Sequence, residues 1–131
     1  MLRISTPNRA FDIPRWHPDG NYFTPTEERN YKFVTTLKGT KTRFARATDP
    51  AKFLELLTSQ SIHGHHNNMQ VRRELDAVVQ EFDPYQKGDG VYYLIGHPDA
   101  IIHSEPVMNK PRIFLSVVPG SAAQINEWRN R

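Results

Sequence analysis

The densest polar run in the chain is Ser61-Ile62-His63-Gly64-His65-His66-Asn67-Asn68. Three imidazoles within four positions, with Gly64 loosening the backbone between them, can bring two neutral ring nitrogens onto one divalent ion. The chain has no cysteine, so any metal must be held by His and carboxylate ligands. A solvated loop between two helices accounts for the same residues without chemistry. A His pair helped by Lys or Arg also suits metal-free cleavage of RNA. A further group, Arg15, Trp16, His17, Tyr22 and Phe23, has the residue types that dominate protein interfaces.

The elements that position these residues follow from local signals. Pro7, Pro14, Pro18 and Pro25 break residues 1–30 into an irregular arm, too rich in Phe11, Ile13, Trp16, Tyr22 and Phe23 to be a free tail. Alternating β-branched and aromatic residues predict strands over 31–37 and 40–47, joined by a tight Lys38-Gly39 turn. Asp49-Pro50 opens a helix with Phe53, Leu54 and Leu57 on its apolar stripe. Asn68 caps a second helix over 69–82, carrying Val71, Leu75, Val78, Val79 and Phe82 at helical spacing.

Strands are expected at 91–95, 100–103 and 112–118. Ser121 with Gln124 forms a capping box for a last helix over 122–130, anchored by Ile125 and Trp128. The order β-β-α-α-β-β-β-α points to an α+β single domain, 1–131, with a mainly antiparallel central sheet and about three short helices.

The chain length of 131 residues supports one core. No apolar run approaches the ~18–20 residues of a membrane span, and the N-terminus lacks the apolar stretch of a secretory signal. The sequence therefore predicts a soluble protein, cytoplasmic or delivered into a target cell, with no membrane partner. A net charge of +3 and a pI near 9.3 favour an acidic partner.

Two resemblances add to this reading. Gly64-His65-His66 resembles the G-H-H signature of HNH-type toxin nucleases. That likeness implies a divalent metal held by one His while its neighbour activates water. A following strand would be Asp89-Gly90-Val91-Tyr92, with His97 or His103 as the later imidazole; the implied metal set is His65, His66 and His103.

Over residues 43–118 the chain resembles ADP-ribosyltransferase-like toxin or effector domains. The carrying residues are Arg43-Phe44-Ala45-Arg46, the helix that follows, Gly88-Asp89-Gly90-Val91-Tyr92-Tyr93 and His103-Ser104-Glu105. The resemblance implies NAD as substrate and transfer of ADP-ribose to a macromolecular target, protein or nucleic acid. Arg46 or Arg43 would hold the pyrophosphate, Tyr92 or Tyr93 would stack on nicotinamide, and Glu105 would stabilise the oxocarbenium-like state. Tyr92 and Tyr93 alternate faces of a strand, so one of them belongs to the core. The expected catalytic set is Glu105, Arg46 and Tyr93. The sequence leaves a third class open, a non-catalytic inhibitor or adaptor.

Overall fold

The computed structural model describes residues 1–62, 68–85 and 88–131. In chain order the elements are β1 (Leu2–Ser5), β2 (His17–Pro18), β3 (Asn30–Lys38), β4 (Arg43–Ala47), α1 (Pro50–Ile62), α2 (Met69–Asp76), β5 (Val79–Phe82), β6 (Gly90–Ile95), β7 (Ile102–Ser104), β8 (Arg112–Val117) and α3 (Ala122–Arg129). The fold is α+β, as the element order implies. Its strands divide between two antiparallel sheets, ordered β1-β8-β3-β6 and β2-β7-β4-β5.

This division corrects the expected tight connection at Lys38-Gly39, because β3 and β4 belong to different sheets. Gly39 turns the chain with φ +92°, where an added Cβ would lie 2.6 Å from the Pro111 carbonyl. Arg112 fixes the crossover from the other side, donating to Thr40 O at 2.9 Å and Thr42 Oγ1 at 2.7 Å. A hairpin turn is thus replaced by an anchored step from one sheet to the other.

The second predicted helix is shorter than its periodicity suggests. Asn68 caps α2 by accepting from Gln70 N and Val71 N, but the helix stops at Asp76. Val79–Phe82 pairs instead with β4, placing Val79 opposite Ala47 and Phe82 opposite Phe44. Valine and phenylalanine suit a pleated edge as well as a helix face, and tertiary pairing decides between them. In α1 the apolar stripe keeps Phe53 and Leu57 as expected, but Leu56 takes the place of Leu54, which is exposed. The Ser121–Gln124 capping box forms, but Ile125 and Trp128 are exposed and do not anchor α3 in the core.

Two apolar clusters define three layers. Trp16, Ala45 and Ile102 meet Phe53, Leu56 and Leu75, joining the second sheet to α1 and α2. On its other face, Phe44 meets Val34, Val91, Tyr93, Ile95 and Phe114 of the first sheet. Among the described residues no helix is long and apolar enough to cross a membrane.

The arm runs along both sheets. Its β1 pairs with β8, and its β2 pairs with β7. Ser104 Oγ accepts from Arg15 N at 2.9 Å, and Trp16 Nε1 donates to Asp76 at 2.7 Å.

Candidate functional site

A cavity of about 220 Å³ lies between the sheets. One wall comes from β2 and β7, where His17 is the register partner of His103. Their rings are 4.5 Å apart at 52°. Two residues beyond each imidazole stands an acid, Asp19 and Glu105 respectively. Because side chains two apart on an extended chain share a face, each acid accompanies its histidine into the cavity. The facing wall carries Lys32 from β3, Tyr93 from β6, and Arg112 and Phe114 from β8. Arg3 and Arg15 of the arm complete the rim.

Backbone carbonyls orient both imidazoles. His17 Nδ1 lies 2.7 Å from Arg15 O, and His103 Nδ1 lies 3.4 Å from Ile101 O. The Nε2 atoms turn toward Asp19 Oδ1, at 3.9 Å for His17 and 3.5 Å for His103. The other Asp19 oxygen accepts from Lys32 Nζ at 2.8 Å and from the Tyr93 hydroxyl at 3.3 Å. Lys32 also donates to the Tyr22 hydroxyl at 3.1 Å. At the other end Arg15 donates to Glu105 Oε1 at 2.5 Å, with Arg3 3.9 Å from the same oxygen. Glu105 Oε2 is buried with no hydrogen-bond partner among the described residues.

These neighbours set the charge states. Burial, reinforced by repulsion from His103, pushes the His17 imidazole down to about 4, so it is neutral at neutral pH. Burial opposes ionisation of Asp19, but His103 and Lys32 outweigh it and hold the carboxyl well below its ordinary range. Glu105 likewise ionises against its burial because Arg15 stands beside it. Burial, together with the charge of Asp19, raises the Tyr93 phenol and keeps it a hydrogen-bond donor.

Of the residues picked from sequence for catalysis, cofactor or metal, Tyr93, His103 and Glu105 line this cavity. Arg43, Arg46 and Tyr92 are not among its lining residues. Arg43 makes a two-pronged pair with Glu81, at 2.7 and 2.8 Å, and lies over Trp16 on the helix side of its sheet. Arg46 lies over Phe82 and is register partner to Gln80, toward the far end of β4. Tyr92 is on the outer face of the first sheet, 59% exposed and stacked on Tyr31. Strand alternation is the reason: it buries Tyr93 and turns Tyr92 out. His65 and His66 lie outside the described residues.

The residues that sequence reasoning missed are Asp19, Lys32, Arg3 and Arg112, with Arg15, His17 and Tyr22 taken only as part of a binding surface. A partial signal existed in the His-x-acid pattern, which occurs at His17-Pro18-Asp19, His97-Pro98-Asp99 and His103-Ser104-Glu105, the first and last of which line the cavity. It was obscured because β2 has only two residues, inside a proline-rich arm.

Ligand atoms of His17, Asp19 and His103 all lie within 4.8 Å of one another, a spacing one metal ion can bridge. The charge around them favours an anion instead. Four cations, Arg3, Arg15, Lys32 and Arg112, face two carboxylates, Asp19 and Glu105, in the same lining. Adding a divalent ion increases that excess, whereas a phosphate relieves it. The chain matches no protein-family model, no curated protein and no solved structure.

Proposed function

We propose that this chain is a metal-independent phosphodiesterase acting on a nucleic acid, with His17 and His103 transferring protons. The observation that carries the reading is the convergence of the two Nε2 atoms in a cavity whose lining is rich in cations. Arg15 and Arg3 receive the non-bridging phosphate oxygens, since guanidinium presents paired donors to them. His17 Nε2 takes the proton of the attacking hydroxyl, the ribose 2′-hydroxyl of RNA or a water molecule on DNA, as its oxygen bonds to phosphorus. The bond from phosphorus to the leaving oxygen breaks, and His103 supplies the proton that oxygen needs. Asp19 keeps His103 oriented and offsets the charge that moves between the rings.

Incubation of the purified chain with RNA and with single-stranded DNA, in excess chelator, tests this directly. Cleavage with chelator present is the expected result. His17→Ala and His103→Ala should each lower kcat by about 10²–10⁴. Undiminished cleavage by both variants, or cleavage abolished by chelator, rejects the mechanism.

A second reading rests on Tyr93 and Glu105 sharing the cavity. In an ADP-ribosyl transfer, Glu105 would face the ribose and Tyr93 the nicotinamide. The pyrophosphate role expected of Arg43 or Arg46 would pass to Arg3 and Arg15. Release of nicotinamide from NAD, lost in Glu105→Gln, distinguishes it from the nuclease.

A further inference from the structure

The first sheet has one face turned toward the second sheet and one turned away. Register settles which residues face outward. Leu2 and Ile4 of β1 oppose Leu115 and Ile113 of β8, and Val117 opposes Phe33 of β3. Phe33 and Tyr31 oppose Tyr92 and Leu94 of β6. Their sequence neighbours Val34, Val91, Tyr93, Phe114 and Ser116 are buried on the inner side. The outer face therefore presents a largely aliphatic and aromatic surface, interrupted by Thr35 opposite Leu115, with a single charge, Lys38, opposite Ile113 beyond the β3 irregularity.

This surface is open. Leu2 is 59% exposed, Ile4 72%, Tyr92 59% and Val117 46%, and Leu37 at the end of β3 is exposed as well. Isolated apolar side chains are normal on a protein surface, but a contiguous face of this kind marks an interaction site. At the ordinary accessible areas of such side chains these exposures amount to an area on the order of 700 Å², near the ~800 Å² that each partner contributes to a stable complex.

We propose that this face joins two copies of the chain, sheet against sheet, about a two-fold axis. A face whose one charge, Lys38, lies at the end of β3 is self-complementary over its apolar centre, and twisted sheets stack at about 10 Å with interdigitating side chains. The alternative partner, a different protein, has no charge pattern here to recognise. The cavity lies on the other side of the sheet, so pairing leaves it accessible. The inference is independent of the reaction assigned to that cavity.

Sedimentation velocity on the full chain over a range of micromolar concentrations tests it. The expected result is a reversible doubling of mass. Ile4→Asp combined with Tyr92→Asp should weaken the dimer by at least about 100-fold, because each interface would then bury unpaired carboxylates. Far-UV circular dichroism should be unchanged, since both side chains are exposed. A second pair, Leu2→Asp with Val117→Asp, samples β1 and β8 if the first fails to fold. A wild-type chain that stays monomeric at the highest concentration overturns the proposal. So does a dimer that survives these charged substitutions, because it must then form through another surface.

Discussion

Lys32 projects inward from β3, where the alternation of the strand gives Asn30, Val34 and Thr36 as its companions on that face. The more apolar set, Tyr31, Phe33 and Leu37, points the other way. Burial of an ammonium is unfavourable by itself, but here Asp19 and Tyr22 hold it and raise its proton affinity above the ordinary value. Lys32→Met would leave the Asp19 carboxylate without its closest cation. We expect a loss of about 3 kcal/mol in stability, read from urea unfolding. Lys32→Arg should recover less than half of it, because a planar fork does not replace a compact ammonium.

His17 makes a separate prediction in pH. It faces His103, Asp19, Arg15 and Glu105, and its folded-state value of about 4 lies below the ~6.5 of an unfolded chain. Between those limits the unfolded state binds more protons, so stability falls as pH drops from about 6.5 toward about 4. The loss attributable to this ring is about 3 kcal/mol. Asp19, held low in the fold, adds acid sensitivity of the same sign at still lower pH. His17→Asn should flatten the upper part of the profile. An identical slope in the variant would assign the effect to other groups.

At the level of elements, the signals with a local mechanism were the readable ones. Asp49-Pro50, Asn68 and the Ser121–Gln124 pair each satisfy backbone groups within a few residues, and each marks a real helix start. Val79–Phe82 was misread because its strand character depends on β4, a partner more than thirty residues away. The face of β3 was hidden for a related reason. Hydrophobic alternation alone would turn Tyr31 and Phe33 inward, whereas the buried face carries a lysine that serves the cavity.

The cavity itself was half legible: His103-Ser104-Glu105 and Tyr93 stood out, but Asp19 and His17 fall in the arm, where proline masks a two-residue strand. Gly39 offers a test of the crossover. Its positive φ and the 2.6 Å approach to Pro111 O predict that Gly39→Ala destabilises the chain by about 2 kcal/mol or more. Gly20→Ala, where a Cβ meets nothing within 4 Å, is the control and should change thermal unfolding little.

For the whole molecule, the two sheets act as opposing jaws around one polar pocket. The second sheet supplies the imidazoles and the first supplies Lys32, Tyr93 and Arg112. Any substitution that loosens the packing of Phe44 against Tyr93 should widen the pocket and, under the proposed mechanism, weaken catalysis before it unfolds the chain. Phe44→Leu is therefore expected to raise KM for an oligonucleotide several-fold while retaining a cooperative thermal transition. A normal KM with a lowered melting temperature would make this contact structural alone.

The arm's pairing with the last strands also sets a clock. Residue 17 meets residue 103, and β1 pairs with β8, so the arm waits for strands that follow it at long range in the sequence. Contacts this distant in sequence slow folding, since the closure entropy of a long loop is lost before the contact forms. During synthesis, helices α1 and α2 can form while the arm still has no partner. A fragment ending before Ile102 holds only one of the two imidazoles and is catalytically inert under the proposed mechanism. In refolding from denaturant, helical signal should return first and substrate cleavage last, on the phase that docks β1 and β2. Activity that recovers together with the helical signal would show that the arm docks early.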